Sequence, residues 1–227
     1  MVRIVANVVG RPQLRVSLPP KDVHYLTQVM RRRPGDLVEV LGADGRVWVG
    51  EWMGEGVICL KALSLPPWVP PRSIILYQSL LKGDHFSEVV DQATQVGVTR
   101  IVPVLAERCV VRAVSQNRRA RWQAIAKEAS EQCRRAQVPE LGELLDLEEM
   151  RAVPGGESYA LAPQATPGYP WRQQNNAPVE LVVGPEGGLS PLEIAQLQRR
   201  GFHPLSLGPQ IFRSENAGAF AALLFLQ

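Results

Sequence analysis

Cysteine is scarce in this 227-residue sequence, and that scarcity narrows its chemistry first. Cys59, Cys109 and Cys133 are far apart and odd in number, and no C-x-x-C occurs. A zinc site or a disulfide framework is therefore not expected, and the thiols read as buried groups in a reducing cytoplasm. Histidine is as sparse. His24, His85 and His203 stand apart with no H-E-x-x-H, so metal catalysis has no support and each reads as a structural or surface residue. No run of roughly 18 apolar residues is present, so no membrane span is expected. The first ten residues contain Arg3 and Asn7 and lack the apolar centre of a signal peptide. Walker A, G-x-G-x-x-G and G-x-S-x-G sequences are missing as well. ATP hydrolysis, a standard dinucleotide site and Ser-His-Asp chemistry lose their usual signatures.

What is present suits a folded protein of one or two domains. Apolar residues make up 45% and charged residues 21%, enough for a normal core and too apolar for general disorder. The formal charge is +3 and the sequence pI about 8.9. That mild basicity permits a nucleic-acid partner without demanding one.

The chain changes character partway. Residues 2–9 read as a strand. Val23, Leu26, Val29 and Met30 give helical spacing over residues 21–33, with Arg31, Arg32 and Arg33 at its end and Pro34-Gly35 as its stop. Residues 36–63 alternate as short strands around an Ala43-Asp44-Gly45 turn. Four prolines among residues 66–71 then mark a stiff linker. Beyond it, strands (residues 73–81, 100–105 and 157–162) alternate with helices (84–96, 118–136 and 143–152). Residues 163–178 read as loop. Such alternation predicts a mostly parallel sheet covered on both faces.

The last 47 residues, 181–227, organise the rest. Two apolar strand-like runs, residues 179–183 and 204–207, each lead into a glycine loop and a helix. The loops are Gly184-Pro185-Glu186-Gly187-Gly188 and residues 208–216. Two loops at the carboxyl ends of strands make a ligand crevice. Ser190, Pro191 and Glu193 form a capping-box start for the first helix. Ala217, Phe220, Ala221, Leu224 and Phe225 make the final helix apolar nearly all round, so burial is expected. Glu215 falls in its first turn, where the helix dipole favours a carboxylate.

Basic residues gather in the second half: Arg118, Arg119 and Arg121, then Arg134-Arg135, with Lys82, Arg108 and Arg112 near strand ends. Such groups are usually solvated faces. Beside a separate small β domain and a crevice, they raise the odds of an RNA partner.

Several stretches together resemble one family. They are Lys82-Gly83-Asp84, residues 92–98 (QATQVGV), Pro103, Glu107-Arg108-Cys109, Glu131-Gln132-Cys133-x-Arg135-x-x-Val138-Pro139, the Gly184–Gly188 loop, and Leu207-Gly208-Pro209-x-Ile211-Phe212-Arg213-x-Glu215-Asn216-Ala217. In order and spacing they are similar to the RsmE family of 16S ribosomal RNA uridine-N3 methyltransferases, of the SPOUT class. His24-Tyr25-Leu26, Val29-Met30-Arg31 and Gly35-Asp36 resemble its amino-terminal half. The resemblance implies an α/β fold. A PUA-like RNA-binding β-barrel would span residues 1–70, and a mostly parallel sheet with a carboxyl-terminal trefoil knot residues 72–227. It implies S-adenosyl-L-methionine as cofactor, the small ribosomal subunit as partner, a homodimer joined at the knots, a cytoplasmic location, and neither metal nor membrane.

The resemblance also places residues. Arg213, Glu215 and Asn216 would be catalytic. Leu161, Val183, Gly184, Pro185, Glu186, Gly187, Gly188, Leu207, Gly208, Ile211, Phe212 and Arg213 would surround the cofactor. Arg3, Arg11, Arg31, Lys82, Arg108 and Arg135 would meet RNA. Two positions depart from the family pattern: Asn216 replaces a threonine and Gln95 a glutamate. They keep open a different RNA substrate, or an RNA-binding assembly factor without catalysis.

Overall fold

A computed structural model of the protein describes residues 1–64, 68–165 and 176–226. It divides into two compact units. The first holds Met1–Val69 with Ser130–Gln137, and the second Pro70–Ala129 with Val138–Gln227.

The first unit is a five-stranded sheet, with strands β1 (Arg3–Val5), β2 (Arg15–Ser17), β3 (Leu37–Leu41), β4 (Val47–Gly54) and β5 (Val57–Leu63) in the order β1-β3-β4-β5-β2. β1 runs parallel to β3, and the other pairs are antiparallel. The alternation in the sequence explains the sheet. Val38 and Val40 of β3, Trp48 and Trp52 of β4, and Ile58 and Leu60 of β5 are buried with Ile4, Val16 and Leu26. Asp44 accepts from the Arg46 amide at 3.2 Å, and Gly45 takes φ +73° to turn the hairpin.

The expected helix over residues 21–33 is shorter. α1 (Pro20–His24) widens into a π-turn over Tyr25–Val29, closed by the Met30 amide on the Tyr25 carbonyl at 2.9 Å. Arg31 then takes a left-handed φ of +51°. The arginine triplet therefore follows the helix instead of ending it.

The second unit is a seven-stranded parallel sheet. Its strands are β6 (Ile74–Ser79), β7 (Arg100–Leu105), β8 (Glu140–Leu141), β9 (Leu145–Asp146), β10 (Glu157–Leu161), β11 (Val179–Val183) and β12 (His203–Leu205). The order is β12-β10-β11-β6-β7-β8, with β9 also on β7. Helices α2 (His85–Val96), α3 (Gln116–Cys133, its last residues in the first unit), α4 (Pro191–Arg199) and α5 (Ser214–Phe225) complete the chain. All five residues of β11 are buried, as expected for a central parallel strand. Its one polar residue, Glu180, accepts from Tyr77 Oη (2.9 Å), Ser158 Oγ (2.6 Å) and the Val153 amide (2.7 Å). Those donors answer the burial cost of a carboxylate.

The sheet's far edge differs from expectation. Residues 143–152 are not a helix: Leu145 and Asp146 pair with β7, and a 3₁₀ turn (Leu147–Glu149) follows. Pairing on the open edge of β7 satisfies this backbone, while Leu147 and Met150 face the core. α5 packs on β6, β11 and α2. It comes close because Gly218 faces β6, where an added Cβ would meet Leu76 Cδ1 at 2.8 Å. Its burial is one-sided, however. Ala217, Ala221 and Phe225 are buried, whereas Phe220 is exposed and meets Phe212 edge to face at 5.2 Å. The loop expected over residues 163–178 lies largely outside the described residues, as do Pro66 and Pro67 of the proline linker.

Candidate active site

The chain leaves three neighbouring parallel strands, β10, β11 and β12, at one end of the sheet. The segments that follow enclose a cavity of about 830 Å³. Its wall comprises residues 161–164 after β10, 183–189 after β11 and 211–215 before and into α5, with His85, Arg108, Pro191, Ile194 and Ala217.

Each segment is fixed by local chemistry. The Ser190 hydroxyl accepts from the Glu193 amide at 3.3 Å, and the Glu193 carboxylate accepts from the Ser190 amide at 2.8 Å. This capping box starts α4 as the sequence predicts. Glu193 also accepts from the Glu107 amide at 2.7 Å, so one buried carboxylate holds two segments. Gly184 lies against backbone, where an added Cβ would stand 2.6 Å from the Leu189 nitrogen. Gly188 turns the loop at φ +68°, its amide donating to the Pro185 carbonyl at 2.8 Å. Glu186 accepts from the Lys82 amide at 2.8 Å, and Arg108 donates to the Gly187 carbonyl at 2.7 Å. The Ser214 hydroxyl donates to the Gly184 carbonyl, tying the start of α5 to the loop after β11.

Arg213 and Glu215 stand at the mouth and the wall. Arg213 caps α5, and its side chain is 82% exposed. The Glu215 side chain is 9% exposed and lies 3.9 Å from the Arg213 guanidinium. Burial pushes the thiol of Cys109, behind Arg108, above its ordinary value, which makes it a poor nucleophile.

The wall contains Leu161, Val183, Gly184, Pro185, Glu186, Gly187, Gly188, Ile211, Phe212, Arg213, Glu215 and Arg108 of the expected residues. Leu207, Gly208 and Asn216 are not among its lining. Asn216 accepts from the Gln92 amide at 3.1 Å and so ties α5 to α2. Sequence reasoning missed His85, Ala162, Pro163, Gln164, Leu189, Pro191, Ile194, Ser214 and Ala217. Of these His85 carried a signal, since it directly follows Lys82-Gly83-Asp84.

The expected RNA contacts divide. Arg11, Arg31, Lys82 and Arg108 are exposed. Arg3 and Arg135 require correction. Arg3 is buried, paired with Glu39 at 3.0 Å and donating to the Arg135 carbonyl at 3.4 Å. Arg135 is 2% exposed, and desolvation lowers its pKa from the ordinary guanidinium value. Both brace the first unit and neither offers its head to a phosphate. Among the described residues, His85, Glu88 and Glu215 bring candidate ligand atoms within 4.8 Å of one another. No described helix is long and apolar enough to cross a membrane.

Comparison with known proteins agrees with this geometry. The RNA methyltransferase domain family matches residues 69–226. The Synechocystis ribosomal RNA small subunit methyltransferase E is 33% identical over 91% of this chain and 71% of its own length. The Mycobacterium bovis protein of that name is 32% identical over 87% and 80%. Among solved structures, the Neisseria gonorrhoeae ribosomal RNA small subunit methyltransferase E bound to S-adenosyl methionine superposes with a TM-score of 0.89. It is 28% identical and covers 98% of this chain and 95% of that one. A Legionella pneumophila putative methyltransferase in complex with the cofactor gives 0.88, at 27% identity over 99% and 96%. With parallel strands, a glycine-walled cavity at their carboxyl ends and relatives matched along most of its length, the chain belongs to the RsmE family of ribosomal RNA methyltransferases.

Proposed function

We propose that this protein transfers a methyl group from S-adenosylmethionine to N3 of one uridine in 16S ribosomal RNA. The observation that carries the reading is the cavity at the ends of β10, β11 and β12, with Arg213 and Glu215 beside it. Its volume of about 830 Å³ lies within the range of ordinary cofactor sites. Its wall fits the cofactor. Gly188, with nothing within 4 Å of where a Cβ would stand, leaves the loop open to an adenosine, and Leu161, Leu189, Ile194 and Ile211 supply apolar packing for a base. When bound, S-adenosylmethionine supplies an electrophilic methyl group.

The chain's own residues have two tasks. The first is alignment, since in-line displacement draws much of its rate from orientation. The capping box and the Ser214–Gly184 bond hold the wall rigid for that purpose. The second is removal of the uridine N3 proton. Ionising N3 near neutral pH costs about 3 kcal/mol, at about 1.4 kcal/mol per pKa unit. Arg213, exposed at the mouth, stabilises the charge that develops on the uracil oxygens. Glu215 orients that guanidinium.

The amino-terminal unit supplies the PUA-like RNA-binding surface, a closed barrel in this reading, with Arg11 and Arg31 meeting phosphate. The carboxyl-terminal unit is a SPOUT domain whose last segment forms a trefoil knot. The path supports this: from β12, at the sheet edge, the chain returns in α5 to β11 and β6. The enzyme works in the cytoplasm as a homodimer joined through its knots, and exposed Phe220 and Leu223 on α5 supply apolar contact.

The test combines purified protein, labelled S-adenosylmethionine and small subunits lacking the modification, with mass spectrometry of the digested RNA. Labelled 3-methyluridine at one position is the expected result. A different labelled nucleoside, or none, rejects the assignment.

A further inference from the structure

His85 is the one histidine on the cavity wall, and the methyl-transfer reading gives it no task. It begins α2, and its Nδ1 lies 3.1 Å from Glu88 Oε1, one helical turn on. Its ring, the Glu88 carboxylate and the Glu215 carboxylate all lie within 4.8 Å of one another. An i,i+3 ion pair on an open helix face is ordinary. Here the pair adjoins a carboxylate 9% exposed in the wall of the proposed active site, with Arg213 a further 3.9 Å beyond. The row Arg213, Glu215, His85, Glu88 therefore links the proposed anion-stabilising group to an imidazole.

We propose that His85 is the proton acceptor for uridine N3, a role that rests on the methyl-transfer reading above. Glu88 accepts the Nδ1 hydrogen and fixes that tautomer, leaving Nε2 as the basic nitrogen. In the step, the N3–H bond breaks and its proton goes to Nε2. The N3 electron pair forms the bond to the methyl carbon, and the carbon–sulfur pair stays on sulfur as a neutral thioether. The imidazolium that results lies beside Glu215 and Glu88, and it later returns its proton to water. The charged groups beside the ring are Glu88 on α2 and Glu215 at the start of α5, and Arg213, Glu186 and Arg108 line the same cavity. Imidazole suits this work because it gains and loses a proton near neutral pH.

The experiment uses the full chain with His85→Gln and Glu88→Gln, and small subunits lacking the modification. His85→Gln should keep S-adenosylmethionine affinity, by calorimetry, within about twofold of wild type. Its kcat should fall about 10²- to 10⁴-fold, the usual range for a lost general base, with KM for subunits unchanged. Subunits reconstituted with 5-bromouridine RNA, whose N3 is more acidic, should recover at least tenfold of that loss, because a weaker base then suffices. A residue that merely shapes the cavity gives no such recovery. Imidazole nitrogen NMR should show neutral His85 as the Nδ1–H tautomer in wild type and a mixture in Glu88→Gln.

Wild-type turnover by His85→Gln overturns the proposal, as does an Nε2–H tautomer in the wild type. A stoichiometric metal ion in the purified wild type, lost in His85→Gln by elemental analysis, also overturns it, since His85, Glu88 and Glu215 would then be holding that ion. If the wild type makes no 3-methyluridine, the methyl-transfer reading falls and this inference with it. An active wild type beside an equally active His85→Gln sinks the inference alone.

Discussion

Ser214 donates its hydroxyl hydrogen to the carbonyl oxygen of Gly184, joining the first residue of α5 to the first residue after β11. The same hydroxyl accepts from the Gln78 side-chain amide at 3.1 Å, and Gln78 is buried at the end of β6. One hydroxyl thus holds three segments that meet beneath the cavity. Ser214→Ala removes both bonds at a cost of roughly 1–2 kcal/mol. Part of that cost falls on the order of the cofactor loop. S-adenosylmethionine affinity should weaken about 2- to 5-fold, as roughly half of that cost converts at tenfold per 1.4 kcal/mol. Calorimetry on the variant checks this, and an affinity equal to wild type rejects the linkage.

Arg213 separates stability from chemistry. Its side chain is 82% exposed and Glu215 lies 3.9 Å from its guanidinium, so the fold gains little from the pair. Arg213→Ala should leave unfolding free energy within about 0.5 kcal/mol of wild type. Turnover should fall about 10²- to 10³-fold, as when one donor to a developing anion is removed. A stopped-time assay beside a denaturant melt reads both quantities. A variant that loses stability and keeps its rate refutes the assignment.

Part of this site is legible in the sequence, and the reasons are physical. β11 reads as buried because its apolar run faces covered layers on both sides. Ser190 and Glu193 read as a helix start because that chemistry is local and complete within four residues. The turn at Gly188 is equally local. Arg3 misleads because burial of a cation depends on partners distant in sequence: Glu39, and the Arg135 carbonyl 132 residues away. Residues 143–152 mislead because an open strand edge supplies hydrogen bonds that no periodicity reveals. His85 follows the Lys82-Gly83-Asp84 signal, but its place beside Glu215 is not legible, since the two meet only through the packing of α5 on α2.

Two tyrosines predict how stability responds to alkali. Burial, reinforced by Glu157, pushes the Tyr159 phenol up to about 12. Burial and Glu180 raise Tyr77 further. A raised folded-state pKa means that the folded protein keeps protons which the unfolded chain releases from about pH 10. Stability therefore falls as pH rises wherever the folded state binds more protons. The contribution of these phenols is complete below pH 10 and is lost progressively from about pH 10 to 12 and beyond. Urea melts at pH 8, 10 and 11 should show a declining midpoint. Tyr77→Phe, which cannot ionise, should flatten that decline. An unchanged slope in the variant would assign the alkaline transition to other groups.

Arg31 and Arg3 make opposite predictions about RNA and stability. Arg31 is exposed after the π-turn at φ +51°, whereas Arg3 is buried against Glu39 at 3.0 Å. If Arg31 meets a phosphate, Arg31→Ala weakens RNA binding across sequences and lowers the slope of log K against log salt by about one. It should leave stability unchanged or slightly improved, since alanine removes a charged side chain and little packing. Arg3→Ala instead strands the Glu39 carboxylate, 12% exposed, without its cation. Breaking such a pair costs about 3–5 kcal/mol. Its melting midpoint should drop, while the salt slope of the protein that remains folded stays at the wild-type value. Filter binding over a range of salt concentrations, beside thermal melts of both variants, separates a contact residue from a bracing one. If Arg3→Ala changes the salt slope and leaves the midpoint alone, the buried assignment of Arg3 is wrong.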